Sequence, residues 1–233
     1  MAARVMKGRS AVGSEVKIVA RIVYPRNPAR RTVFCSGNEQ GIPRVFHHVW
    51  LGSEPVPEKF LRFRRGWQVL HPGWQMRLWT DKNLPILVNQ SIFDMARSPA
   101  QRCDVLRYEL LYMYGGVYLD MDFECLRSID QLLLNISAFA GYEVPGRVAI
   151  GILGATPGHP LFRELVLQLP QYFDPGLPPN VATGPVFMTK AIRKFPYVKI
   201  FDPPFFYPVY MDGTVFGEPK MAYAIHHWAH SWK

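Results

Sequence analysis

Ser98–Asp130, SPAQRCDVLRYELLYMYGGVYLDMDFECLRSID, is the stretch that decides how the rest of the chain is read. Ser98 and Pro99 are a good N-cap and first-turn residue, a run of helix formers follows, and Gly115 and Gly116 stop it. The next residues, VYLD, are β-branched and aromatic. They predict a buried strand that delivers Asp120 and Asp122 at its C-terminal end, where α/β sheets place their ligands. Two carboxylates one residue apart at a strand end suit a cation.

The helix carries a second message. At about 100° per residue, Cys103, Leu106, Leu110 and Met113 fall on one face, expected to pack on the sheet, while Ala100, Asp104 and Arg107 form a separate narrow line. Taken alone, Asp104 and Arg107 read as a surface pair worth a few tenths of a kcal/mol. The alternative is that they flank the pocket that holds the carboxylates. Ala100, Asp104, Arg107, Tyr118, Asp120 and Asp122, with Gly115-Gly116-Val117-Tyr118 between them, resemble the sugar-binding DXD region of a glycosyltransferase family of GT-A type. That family includes fungal initiating mannosyltransferases, inositolphosphoceramide mannosyltransferases, bacterial capsular polysaccharide transferases and the glucosyltransferase domain of large clostridial toxins. Several of these relatives have Ser where this chain has Cys103.

At 233 residues, with 48% hydrophobic and 19% charged residues, the chain has the length and composition of one globular α/β domain. Its net charge of +9 is uneven, since residues 1–40 hold eight basic residues against two acidic ones. Residues 1–40 are therefore expected to be a basic N-terminal extension, and residues 41–233 the catalytic domain. Such an arm could touch an anionic membrane surface; no nucleic-acid motif accompanies it, so no nucleic acid is expected. Cys35, Cys103 and Cys125 have no metal-ligand spacing and no disulfide pattern. No apolar run approaches the ~20 residues that span a bilayer. A cytoplasmic or peripheral location follows for the chain as it stands, and a Golgi one only if an anchor lies outside this sequence.

Upstream, Ile42–Gly52 reads as the first strand and resembles the family's opening, in which a Trp stacks on the donor base; that role falls to Trp50, with ordinary core packing as the alternative. His47 reads as a hydrogen-bonded structural histidine. Pro57–Val69 predicts a covering helix, and Trp74–Trp79 a second strand ending in Thr80 and Asp81. Those two are either ribose-side groups, as the resemblance implies for Asp81, or a helix N-cap. Strands alternating with helices predict a Rossmann-like, mixed and mainly parallel sheet flanked by helices in a GT-A-like single domain. There is no glycine-rich phosphate loop, so the charge of a diphosphate would have to be met by a cation.

Downstream, Ala138–Tyr142 and Ala149–Ala155 predict strands, and His159–Leu169 and Thr183–Lys194 predict helices. Asp202–Tyr210 reads as an aromatic loop, either an acceptor floor or plain packing. A donor-facing Asn of the family is replaced by Ile150 or Gly151. The ending, His226 to Trp232, resembles a family segment that folds over the active site. The resemblance implies His226 as third metal ligand, with Ser231 and Trp232 beside the phosphates.

The resemblance implies hexose transfer from a UDP- or GDP-sugar to a glycan or glycolipid hydroxyl, with retention of configuration. Mn²⁺ or Mg²⁺ would be held by Asp120, Asp122 and His226; Arg107 and Asp104 would orient the sugar; Trp50, Asp81, Ala100 and Tyr118 would complete the donor site. Two other readings compete. One is a phosphatase of haloacid-dehalogenase type, in which Asp120 would attack phosphorus, although the Phe123-Glu124 that follows is not that family's small pair. The other is a catalytically dead sugar-nucleotide-binding protein.

Overall fold

The computed structural model describes residues 41–229, so the basic extension of residues 1–40 and the pair Ser231 and Trp232 lie outside the described residues. The glycine pair sets the architecture. Gly115 has φ +62° and Gly116 φ +89°. A Cβ on Gly115 would stand 2.7 Å from the Ala155 carbonyl oxygen, and one on Gly116 2.5 Å from Val45 Cγ1. Only glycine can adopt that backbone with neighbouring strands so close. Helix α3 (Pro99–Tyr114) therefore ends abruptly, and the chain turns straight into strand β3 (Gly116–Leu119).

Around this turn the described residues form a six-stranded sheet. Strand β1 (Val45–Val49) pairs in parallel with β2 (Gln75–Trp79) on one side and with β3 on the other. Strand β6 (Arg147–Ala155) then runs antiparallel to both β3 and β5 (Ala138–Val144), and β7 (Lys199–Phe201) lies parallel to β5. The order is β2-β1-β3-β6-β5-β7, with β6 alone reversed. The expected mixed, mainly parallel sheet is thus observed. Strand order reverses beside β1, and the carboxyl ends of β1 and β3 open there.

Helices cover both faces. α1 (Glu58–Leu70) lies over one, burying Phe60 and Trp67; α3, α4 (Pro160–Tyr172) and α6 (Pro185–Ile192) lie over the other. The short helices α2 (Gln90–Met95), α5 (Pro179–Ala182) and α7 (Pro203–Phe206) complete the set. Strand alternation sorts the side chains of β3: Val117 and Leu119 join the core on the α1 side, and Tyr118 joins the core on the α3 side. Burying each such side chain contributes roughly 1.5–3 kcal/mol. Asp120, two residues beyond Tyr118, consequently falls on the face that α3 covers.

Three expectations need correction. α3 is buried nearly all round, because α2 and α4 pack on it as well as the sheet; Leu106 and Leu110 are sealed, while Cys103 and Met113 are only half buried. No helix begins at Thr80 or Asp81, which instead open a turn closed by the Asn83 side chain accepting from the Thr80 amide at 2.7 Å. The aromatic loop contains α7, after which Tyr207 is buried. A further element went unforeseen: β4 (Phe123–Cys125) pairs antiparallel with β8 (Ala224–His226), matching Phe123 with His226. That ribbon brings the C-terminal segment back to the carboxylates.

Candidate active site

Asp120 and Asp122 stand in the turn between β3 and β4, and β8 places His226 opposite them. One potential ligand atom from each of the three lies within 4.8 Å of the others. His226 Nε2 is 3.1 Å from Asp122 Oδ1 and 3.7 Å from Asp120 Oδ2. Neither ring nitrogen has a hydrogen bond of good geometry, although the residue is buried. A buried imidazole with no hydrogen bond of good geometry beside two carboxylates is a donor set that fits a divalent cation with mixed N and O ligands. Burial alone would lower the affinity of this imidazole for a proton, but the two carboxylates more than offset it and push its pKa up to about 9. The site attracts positive charge.

Each carboxylate spends one side on the protein. Asp120 Oδ1 accepts from Arg107 Nη1 at 3.1 Å and from the Tyr118 hydroxyl at 2.8 Å, leaving Oδ2 on the His226 side. Asp122 Oδ2 accepts from the Ala229 amide at 2.8 Å, leaving Oδ1 for the same centre. His227 donates its amide to the Asp122 carbonyl at 3.1 Å, so the C-terminal segment is tied to Asp122 twice. Burial opposes the charge of Asp122, yet His226 and the Ala229 amide hold its pKa below the ordinary carboxylate range.

Arg107 and Asp104 form the layer behind. Arg107 Nη2 pairs with Asp104 Oδ1 at 3.1 Å, Nη1 also donates to the Ile150 carbonyl at 2.7 Å, and the guanidinium lies 4.5 Å from the Tyr118 ring centre. The Thr183 hydroxyl donates to Asp104 Oδ2 at 2.6 Å. Burial raises the Asp104 pKa to about 6, partly countered by Arg107 and Thr183. This is a closed polar network, with Arg107 only 3% exposed. The surface-pair reading of Asp104 and Arg107 fails. Arg107 meets the carboxylate pair at Asp120, and Tyr118, 1% exposed, does the same.

The other expected residues are more dispersed. Trp50 is half buried, its indole N–H donating to the Glu54 carbonyl at 2.7 Å and its ring edge-on to Phe60. Asp81 is exposed and accepts from the Gly52 amide at 2.7 Å. Leu51, Gly52, Ser53, Asp81, Pro99 and Arg102 line a cavity of about 390 Å³ at the ends of β1 and β2, and Ala100 is buried in the first turn of α3. His47 is structural: Nδ1 accepts from Trp79 Nε1 at 3.0 Å and Nε2 contacts the Gly115 carbonyl at 2.9 Å.

Sequence reasoning missed Thr183 as the partner of Asp104, and at Gly151 it noted only a missing Asn. At Gly151 a Cβ would meet Asp120 Oδ2 at 2.8 Å, and the Gly151 carbonyl accepts from the Asp120 amide at 2.8 Å. Where the resemblance leads one to expect a donor-facing Asn, backbone stands instead: the Ile150 carbonyl accepts from Arg107, and Gly151 makes room for Asp120. No helix among the described residues is long and apolar enough to cross a membrane.

Residues 57–138 match the family model described as the glycosyltransferase sugar-binding region containing the DXD motif. The chain is 33% identical over 176 residues to inositol phosphoceramide mannosyltransferase 3 of Schizosaccharomyces pombe, covering 69% of this chain and 48% of that protein. It is 21% identical to the initiation-specific alpha-1,6-mannosyltransferase of Candida albicans, over 54% of this chain and 42% of that one. It therefore spans about half the length of the curated relatives it matches. Among solved structures, the PaToxG glycosyltransferase shares the fold with a TM-score of 0.56 at 15% identity, over 67% of this chain and 70% of its own. Together with the site geometry, these likenesses bear out the expected GT-A-like fold: residues 57–138 match the sugar-binding region of the DXD-containing glycosyltransferases, and the chain is similar to mannosyltransferases that carry it.

Proposed function

We propose that the chain transfers a hexose, mannose in the first instance, from a nucleoside diphosphate sugar to an acceptor hydroxyl. The observation that carries the reading is the convergence of Asp120, Asp122 and His226. A divalent ion, Mn²⁺ or Mg²⁺, would be held by Asp120 Oδ2, Asp122 Oδ1 and His226, and when bound would supply Lewis-acid neutralisation of the departing diphosphate. Mannose and a glycan or glycolipid acceptor are favoured by the names of the relatives, which are mannosyltransferases, one of them acting on inositol phosphoceramide. Retention of configuration is carried from the family resemblance.

The chain's own residues then have distinct tasks. Arg107 and Tyr118 fix the rotamer of Asp120 and keep its second oxygen turned to the centre. Ala229 does the same for Asp122 through its amide, and the β4–β8 ribbon holds His226 opposite. The cavity beside Gly52 and Asp81 is within the size range of a small-molecule site, and it offers the nucleoside a seat. Ser231 and Trp232 keep the phosphate-side roles that the resemblance gives them. The phosphatase reading has little left to support it: Asp120, its nucleophile, is held on one oxygen by Arg107 and Tyr118.

The deciding experiment measures release of nucleoside diphosphate from GDP-mannose, UDP-glucose and UDP-galactose with Mn²⁺, with Mg²⁺ and with EDTA. Turnover of one donor that vanishes in EDTA is expected. Binding of a sugar nucleotide without turnover under any metal would favour the dead-site reading, and the absence of both would sink the proposal.

A further inference from the structure

Arg102, near the start of α3, is half buried and lines the cavity of about 390 Å³ beside Gly52 and Asp81. Its guanidinium carries N–H donors in one plane and no acceptor. Among the described residues nothing takes them up: Nε is buried without a hydrogen-bond partner, and no acid pairs with the group. Asp81, the acid that shares the cavity, turns Oδ2 to the Gly52 amide at 2.7 Å instead. The cation rests only on the Phe93 ring of α2, 5.7 Å from its centroid. A partly desolvated charge without an acceptor is costly, and the open side of this one is the cavity.

The helix fixes which way Arg102 points. At about 100° per residue it stands about 200° from Asp104, nearly opposite the line of Ala100, Asp104 and Arg107, with Pro99 between the two. Its contact with Phe93 agrees, because α2 packs on that side of α3. The cavity itself adjoins the carboxylate centre, since the charges of Asp81 and Asp120 both bear on the Cys103 thiol. A nucleotide whose diphosphate lies on an ion at Asp120 and Asp122 therefore sends its nucleoside into the cavity. The base, the part farthest from the phosphates, then arrives beside Arg102.

The two partners select one another by geometry. A guanidinium offers paired, coplanar donors; guanine answers with two acceptors, N7 and O6, on one edge, whereas uracil has only the O4 carbonyl there. Leu51 and Pro99 give the flat ring apolar walls. We propose that Arg102 reads the N7 and O6 edge of guanine, and so biases the cavity toward guanosine over uridine diphosphates. The inference rests on the reading given under Proposed function and deepens it by naming a residue that sets the choice of nucleotide.

The test titrates GDP, GDP with carbon in place of N7, UDP and inorganic pyrophosphate into the natural chain, Arg102→Ala and Arg102→Lys, all with Mn²⁺ present. Thermal melting and Mn²⁺ affinity are followed without nucleotide. The natural chain should bind GDP more tightly than UDP, and more tightly than the N7-substituted analogue. Arg102→Ala should weaken GDP about ten- to hundredfold, the range of a bidentate contact to guanine, and UDP by less than about threefold. Pyrophosphate, Mn²⁺ affinity and the melting temperature should stay within the scatter of a surface substitution, and the analogue should then bind like GDP. Arg102→Lys keeps the charge but not the fork, so its GDP affinity should fall between. Equal losses for GDP, UDP and pyrophosphate would overturn the inference and make Arg102 a counter-charge for phosphate. A natural chain that preferred UDP, or that bound the analogue as tightly as GDP, would overturn it whatever the variants did. All three results leave the glycosyltransferase reading intact. If the natural chain bound neither Mn²⁺ nor any nucleotide, that reading would fall, and this inference with it.

Discussion

His47 on β1 and His226 on β8 are both buried imidazoles, yet the protein treats them oppositely. His47 has both nitrogens engaged: because Nδ1 accepts from the Trp79 indole, its proton sits on Nε2 and is given to the Gly115 carbonyl. Burial drives its pKa down to about 4, with Arg77 lowering it further against that carbonyl. His226 has neither nitrogen in a hydrogen bond of good geometry, and two carboxylates push its pKa up to about 9 despite the same burial. Burial thus decides little by itself; what surrounds the ring separates a histidine used to lock a strand from one left open for a ligand. His48, next to His47 and facing Arg64, stands between the two: Nδ1 meets the Leu119 carbonyl at 3.1 Å, Nε2 has no hydrogen-bond partner, and burial above all lowers its pKa to about 3.

The largest effect should come from removing the charge that sets the second region apart. Asp122→Asn keeps the shape of the side chain and an oxygen to accept from Ala229, but takes away the negative charge beside His226. Turnover of the donor that proves active should fall about 10²–10³-fold, the scale of losing one electrostatic contributor to a transition state. Mn²⁺ affinity should fall with it. A variant that binds Mn²⁺ as tightly as the natural chain would show that Asp122 is not a ligand.

Next in size is the cost of unbalancing the same region. Arg107 is the cation that Asp104 and Asp120 share, so Arg107→Ala leaves two buried carboxylates without their partner. Breaking a buried ion pair from one side costs about 3–5 kcal/mol, which chemical denaturation would register. Loss of donor binding with stability untouched would contradict this and return Arg107 to the sugar-contacting role inferred from the sequence.

That contrast shows how much of the molecule could be read beforehand. The glycine pair, the strand it launches and the DXD carboxylates were legible because backbone geometry and short-range spacing leave few alternatives. Asp104 and Arg107 were legible as a line on a helix but not as a closed network. The partners that close it, Thr183 and the Ile150 carbonyl, lie 79 and 43 residues away from them and carry no motif. The β4–β8 ribbon escaped for a related reason: strands of three residues each give no measurable alternation, and their pairing is fixed by tertiary contacts alone. Tyr207 was visible only as an aromatic among aromatics, since sequence cannot reveal that its ring packs beside Phe123 and His226.

A smaller effect sharpens the comparison from the side of the first strand. The folded chain refuses protons at His47 and His48 down to about pH 4 and pH 3, whereas the unfolded chain takes them up near pH 6.5. Stability from these two residues is therefore complete above pH 6.5 and is lost progressively as the pH falls toward 4. Asp104 works the other way: its pKa, raised from 3.8 to about 6, means that acid relieves a buried charge over part of the same range. Burial also lowers the pKa of His71 and His159 and raises that of Glu109 and Glu143, while the contribution of His226 is complete below pH 6.5; with four histidines against three carboxylates, the melting temperature should fall between pH 7 and pH 5, and fall less in His48→Gln. A melting temperature that held steady or rose on acidification would mean that these histidines are not the buried neutral groups described.

The smallest effect is expected at Cys103, one residue from Asp104, where the resemblance leads one to expect Ser. The thiol is half buried, and burial pushes its pKa up to about 12, so it stays protonated and serves neither as nucleophile nor as ligand. What Arg107 takes from this residue is the backbone carbonyl, through Nε at 3.4 Å, and serine supplies the same carbonyl. Cys103→Ser should therefore change the melting free energy by less than about 1 kcal/mol and leave Mn²⁺ affinity within about twofold, near the scatter of a surface substitution. A larger loss would require the thiol to touch the Asp104–Arg107–Asp120 network directly. A clear gain would mean that a serine hydroxyl reaches a group the cysteine leaves unserved, and the family's serine would then be part of the same polar layer as Thr183.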